Sequence, residues 1–168
     1  DRASTLVRAN SAYSTDNLKE SYSFRNQKTF ADTADITTTT TDRTSRTFFT
    51  NSTASKEDIA NYSYNYASDG STVRSTAYSY YGTSQASMKR AVTASSGDLL
   101  FASYSFKNKQ TLSDTADITS TATDRQSVTY FDQHLGQGSE IADYSYNYKI
   151  GTTTIASANV NLYGAGRV

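Results

Sequence analysis

Residues 21–43, SYSFRNQKTFADTADITTTTTDR, return 82 positions later as SYSFKNKQTLSDTADITSTATDR, and residues 59–66, IANYSYNY, return as IADYSYNY. Laid against 103–164 without a gap, residues 21–82 agree at 30 of 62 positions. Self-similarity at a fixed long period is the signature of a repeat architecture, in which each unit buries its apolar face against its neighbours. This divides the chain into residues 1–20 as the end of a preceding repeat, a first unit over 21–102 and a second over 103–168. Residues 1–20 share the phase of 83–102: Leu6 falls with Met88, Arg8 with Arg90 and Leu18 with Leu100. Residues 165–168 re-enter the phase of 1–4, and the only methionine is Met88. The expectation is a window on a longer array, or a processed product.

Within each unit the dominant pattern has a period of two residues, the mark of strands with one packed face. Tyr62, Tyr64 and Tyr66 alternate with Ser63 and Asn65, and Tyr144, Tyr146 and Tyr148 repeat the arrangement. Tyr22 and Phe24, and Tyr104 and Phe106, do the same on a shorter segment. Tyr78-Ser79-Tyr80 becomes Val160-Asn161-Leu162 in the second unit. Apolar character survives there while the phenol does not, which predicts packed side chains in both copies. A turn residue, then an aliphatic, then an aromatic-x-aromatic strand recurs at Gly70, Gly97 and Gly138, with Asn17 in the earlier phase. Gly and Asn tolerate the positive φ that tight turns need. Residues 4–164 are therefore expected to be all-β with essentially no helix, in tandem 82-residue units of short antiparallel strands and hairpins. Those units would form an extended array, as a sheet or a β-solenoid.

Ser and Thr make up 51 of the 168 residues and aliphatics are scarce, with a mean hydropathy of −0.64. Such poverty in aliphatics favours disorder. The 12% aromatic content, zero formal charge and absence of proline oppose it, and Thr and Tyr suit a half-buried pleated surface. The absence of cysteine excludes disulfides and thiolate sites. No apolar run reaches membrane-spanning length, and zero net charge without a basic patch gives no footprint for nucleic acid.

The Thr tract at 36–41 keeps Thr37, Thr39 and Thr41 as Thr119, Thr121 and Thr123, while Thr38 and Thr40 become Ser120 and Ala122. Regular Thr spacing suits an ice-binding face, but a strand stabilised by cross-strand Thr pairs is the reading adopted. The most divergent stretches, 50–58 and 132–140, share no residue and sit between strand signals. They are expected to be surface loops, the first place to look for specific binding.

At the turn–aliphatic–aromatic motif the chain resembles the RHS/YD repeats. GDLLFASYSF (97–106) and GSTVRSTAYSYYG (70–82) are similar to that family's G-x-L…Y-x-Y portion, as is YNYASDGSTVR (64–74). The resemblance implies secreted or cell-surface bacterial proteins whose β-hairpin repeats wind into a long sheet, closed into a shell in toxins. Each 82-residue unit would hold about four of the family's basic motifs.

Signals for chemistry are weak by comparison. Asp32, Asp35 and Asp42 return as Asp114, Asp117 and Asp124, and Arg43 returns as Arg125. Paired carboxylates serve glycoside cleavage or Ca²⁺ binding, but the calcium-loop spacing is absent, and capping of turns by Asp is the preferred reading. Direct stacking would set Asp32 over Asp114, so the units are expected to be offset, or Arg43 and Arg125 to lie between the acidic rows, a place a cation could also fill. His134 is the sole histidine and has no counterpart, Ser52 occupying its phase, so it reads as solvated. Asn51-Ser52-Thr53 and Asn61-Tyr62-Ser63 match the glycosylation sequon, yet Gln133 and Asp143 replace both asparagines in the second unit, so both matches read as chance. No catalytic residue, metal ligand or cofactor is assigned. The expected function is a structural segment of an extracellular bacterial fibre or giant surface protein, with neighbouring repeats as partners. The alternatives are an adhesive stalk whose loops 50–58 and 132–140 contact glycans or a host surface, and a segment of a toxin-enclosing shell.

Overall fold

The computed structural model describes residues 6–13, 16–26, 29–30, 33–51, 58–95, 97–108, 111 and 122–164. Nine strands lie among them: β1 (Glu20–Phe24), β2 (Arg43–Asn51), β3 (Asp58–Tyr66), β4 (Val73–Tyr81), β5 (Lys89–Arg90), β6 (Leu100–Lys107), β7 (Arg125–Asp132), β8 (Ile141–Tyr148) and β9 (Ile155–Val160). All join one sheet in the order β1-β2-β3-β4-β6-β7-β8-β9, with β5 beside β4. Every pairing is antiparallel. The protein is all-β, an open meander.

Alternation along each strand becomes segregation across the sheet, because directly opposed residues share a face. One row runs Phe48, Tyr62, Tyr78, Tyr104, Val128, Tyr146, Ala158. On the opposite face a row runs Thr47, Ser63, Ala77, Ser105, Ser127, Asn147, Ser157. A one-residue slip would move every ring to the Ser face, so the pattern fixes the register. The pairings of β1–β4 also recur in β6–β9 with both numbers raised by 82: Tyr22 faces Arg46 and Tyr104 faces Val128. Register shifts at Ser23/Phe24, Phe48/Phe49 and Asn65/Tyr66 recur at Ser105/Phe106, Tyr130/Phe131 and Asn147/Tyr148. Such bulges bend the strand and sharpen its twist.

The core sits on the aromatic face at the centre of the sheet. Tyr78, Tyr80, Ala102, Tyr104, Phe106 and Val128 are buried together. Tyr62, Phe101, Tyr130 and Tyr148 pack around them, joined by Met88 from the β4–β6 connection, whose short 3-10 turn η2 (Ala91–Thr93) lies against β2, β3 and β4. A second cluster joins Tyr81, Ala91 and Ala94 to Ile59 and Leu100. The connection thus works as a strap across an otherwise one-layered sheet. The equivalent turn 82 residues earlier is η1 (Ala9–Ser11).

Gly70, in the β3–β4 hairpin, has φ +67, and a Cβ there would come within 1.7 Å of the Thr40 carbonyl oxygen. Arg43 Nε donates to Gly70 O at 3.0 Å, tying that hairpin to the turn that opens β2. Gly138 also takes a positive φ, +76, as its expected turn role requires.

The expectation of a Thr strand at 36–41, and of essentially no helix, is corrected. Residues Thr33–Thr38 form the helix α1, followed by a turn in which Arg43 N bonds Thr40 O and Asp42 takes φ 62. β-propensity expresses fit against a neighbouring strand; β1 pairs directly with β2, so the tract serves as the connection between them rather than as a strand inserted between them. Its hydroxyls turn inward on their own backbone instead: Thr37 and Thr38 Oγ1 both donate to Ala34 O, at 3.1 and 2.7 Å. Asp35 in the first turn adds a favourable charge at the helix N-terminus. Asp32, Asp114, Asp117 and the second-unit tract through residue 121 lie outside the described residues, as do 52–57 of the first loop.

Candidate functional site: an aromatic face covered at its centre and open at its ends

The aromatic face carries a series of guanidinium groups seated on rings. Arg43 lies over Tyr66 at 4.5 Å, Arg46 over Phe48 at 4.4 Å, Arg90 over Tyr78 at 4.2 Å and Arg125 over Tyr148 at 4.0 Å. Arg43 and Arg125 rest on ring faces, and the acidic row of Asp32 and Asp114 beside which they were expected lies outside the described residues. A weakly hydrated planar cation gains more from a ring quadrupole than a solvated contact would give. Arg46 also makes a two-point ion pair with Glu20, Nη2 to Oε1 at 2.7 Å and Nε to Oε2 at 2.9 Å. Tyr22 OH donates to the same carboxylate at 2.7 Å. Burial works against the charged form of Glu20, but these bonds outweigh it and hold its pKa below the usual value. Burial first, then the bond to Glu20, pushes the Tyr22 phenol up to about 12. Tyr62 and Tyr81 are also pushed to about 12, chiefly by burial. These phenols are held neutral and unreactive at ordinary pH.

The centre and the ends of the face differ. In β4, Tyr78, Tyr80 and Tyr81 are 2%, 0% and 7% exposed, whereas Val160, Leu162 and Tyr163 in the same phase are 67%, 91% and 63% exposed. The prediction that Val160 and Leu162 are packed is therefore corrected. β4 is paired by β6 on its far side and by β5 on its β3 side, and η2 lies against it; among the described residues β9 is paired by β8 alone and has no strap. At the other end, Ala9, Ala12 and Leu18 are exposed, although Ala91 and Ala94 in the same phase are buried at 0% and 6%. An apolar groove of about 1090 Å³ lies there, between the Leu6–Ala12 segment, β1 and α1.

The second divergent loop is pinned more firmly than a free surface loop. Gln133 Nε2 donates to Gly82 O at 2.7 Å and Leu100 O at 3.1 Å, and Glu140 Oε1 accepts from Leu100 N at 3.0 Å. Asp58 plays the Glu140 role for Leu18 N at 2.8 Å. His134 is exposed and paired with Asp132, and Leu135 protrudes at the tip, 56% exposed. Asp35, Asp42 and Asp124 stand at helix or turn positions. Among the described residues no three of His, Cys, Asp and Glu come together as a metal site would require. No described helix is long and apolar enough to cross a membrane.

What the arrangement offers chemically is strand addition and apolar contact, both at the ends. The retained residues of the strap phase, Arg8 with Arg90 and Leu18 with Leu100, carried this signal in the sequence. Their role as a roof required knowing that 83–99 folds back over β2–β4. Compared with models of known protein families, with curated proteins and with solved structures, the chain finds no match.

Proposed function

We propose that the chain is a non-catalytic structural segment of an extended β-array in an extracellular bacterial filament or giant surface protein of RHS/YD-like kind. It is built on an 82-residue period, with residues 21–102 as one unit, 103–168 as part of a second, and 1–20 in the phase that closes a preceding one. The observation that carries this reading is the recurrence of strand register and of three bulges at an offset of 82. Each unit contributes four strands to the main path, and strands lie about 4.8 Å apart. A unit therefore advances a sheet by about 19 Å. Covalently linked arrays of two, four and six units, studied by small-angle scattering, should keep one cross-section and lengthen by a constant step of that order. A particle that instead grows equally in all directions refutes the reading. Protease treatment of intact source cells checks location: loss of the protein before lysis is expected, and full protection places it elsewhere.

The adhesive-stalk reading draws on one feature, the protruding Leu135 at the tip of a loop anchored by Gln133 and Glu140. Glycan-array binding abolished by Leu135→Ser at unchanged stability would favour it over a purely architectural role.

A further inference from the structure

We infer that β9 and its open apolar strip are the docking surface for the β1 end of a second copy of this chain. The join would reproduce the internal β4–β6 junction. This rests on the array reading above and adds the partner, the register and a charge pair that locks it.

The internal junction supplies the template. There Tyr78 faces Tyr104, Ala77 faces Ser105 and Tyr81 faces Leu100, while Lys89 and Arg90 pair with Tyr81 and Tyr80. Moved by 82, these pairings place Val160 opposite Tyr22, Asn159 opposite Ser23 and Tyr163 opposite Leu18 of the next copy. Val7 and Arg8 then come beside Tyr163 and Leu162. Both halves of this contact carry exposed apolar residues, Val160, Leu162 and Tyr163 on one and Ala9, Ala12 and Leu18 on the other. The internal cluster of Tyr81, Ala91, Ala94, Ile59 and Leu100 corresponds to Tyr163 and Ile141 on one copy and Ala9, Ala12 and Leu18 on the next. The donor side is already shaped for the role. Tyr163 OH bonds Ala142 O as Tyr81 OH bonds Ala60 O, so the acceptor surface keeps its internal arrangement without its roof.

Charge complementarity sharpens the match. At the internal junction Arg90 Nη2 donates to Asn61 Oδ1 at 2.7 Å and its guanidinium rests on Tyr78. At the open end the ring is lost, Tyr78 being replaced by Val160, while Asn61 is replaced by an exposed Asp143. Arg8 of the incoming copy would exchange its bond to Phe30 O, now 2.7 Å, for an ion pair with Asp143. A cation–ring contact and a neutral hydrogen bond inside the chain thus become a charged pair between copies. Glu20 would come opposite Leu162, and its carboxylate is already committed to Arg46, so the join leaves no unpaired acid beside the leucine.

The chain has no cysteine, so introduced thiols report without background. Copies carrying Asn159→Cys mixed with copies carrying Ser23→Cys should cross-link on oxidation. Ala158→Cys, pointing to the aromatic face, should not cross-link with Ser23→Cys. In sedimentation equilibrium Arg8→Asp alone and Asp143→Arg alone should each weaken association about tenfold, and the double variant should restore it. Association without the Asn159–Ser23 cross-link, or with no response to the charge swap, overturns the proposed join, as does a chain that stays monomeric at high concentration. Linked arrays that still lengthen by a constant step would show that the array reading survives such a failure. Arrays that do not lengthen would remove both.

Discussion

Tyr80 and Leu162 occupy one phase of the sequence and opposite environments, which makes the pair a controlled experiment on burial. Tyr80 is 0% exposed and stands edge-on to Tyr104, ring centroids 5.2 Å apart. Leu162 is 91% exposed. An aromatic side chain buries about 150–250 Å², and at about 25 cal/mol per Å² its removal forfeits roughly 4–6 kcal/mol as an upper bound. Compaction of the unfolded chain lowers that figure, and the lost ring pair and residual cavity raise it, so Tyr80→Ala should cost about 3–5 kcal/mol. Leu162→Ala in dilute solution should stay within about 0.5 kcal/mol of the parent. The chain has no tryptophan and 14 tyrosines, so urea unfolding is followed by tyrosine fluorescence and far-ultraviolet circular dichroism. With a slope of about 2 kcal/mol per molar urea, the Tyr80→Ala midpoint should fall by about 1.5–2.5 M. Equal midpoints for the two variants would refute the claim that the centre of the face is buried and its β9 end bare. At concentrations where copies associate, Leu162→Ala should begin to show a cost.

The hairpin glycines give a second comparison. Gly70→Ala brings a Cβ onto the Thr40 carbonyl at φ +67, and Gly138→Ala has φ +76 but open space around it; the first should lose about 3 kcal/mol or more and the second about 1 kcal/mol, read from thermal melts. The buried phenols set a pH limit. Tyr22, Tyr62 and Tyr81 ionise near 12 when folded, against 10 when unfolded, so the folded state holds their protons more tightly. Stability from these groups is fully present below pH 10 and falls as pH rises from about 10 to 12. Absorbance titration near 295 nm should show a delayed fraction of tyrosines ionising together with loss of the dichroism signal; a single step centred at 10 with the fold intact would contradict the burial described.

Much of this architecture was legible because the side-chain period is two. The alternation of Tyr62, Tyr64 and Tyr66 with Ser63 and Asn65 states which face is which, and the 82-residue offset carries the arrangement to Tyr144, Tyr146 and Tyr148. The Thr tract misled because Thr suits a strand only where another strand is present to receive it, and chain neighbours do not announce whether an edge is free. Val160 and Leu162 misled for a related reason. Apolar identity says that a position suits cover, while the cover over Tyr78 and Tyr80 includes Met88 of the connection that follows β4, a part no described segment plays for β9. The Arg positions were visible as retained residues, but a guanidinium over a ring reads in sequence like any surface cation.

In the sheet order every main-path strand lies beside its neighbour in the sequence, apart from the short β5 between β4 and β6. No strand must wait for a distant partner, so loop-closure entropy is lost in small instalments and formation can advance strand by strand from whichever hairpin closes first. Each completed strand offers the next a ready template, and the strap closes over rings already in place. Folding of such a sheet can start at any hairpin and spread to either side, at a rate set by local closure.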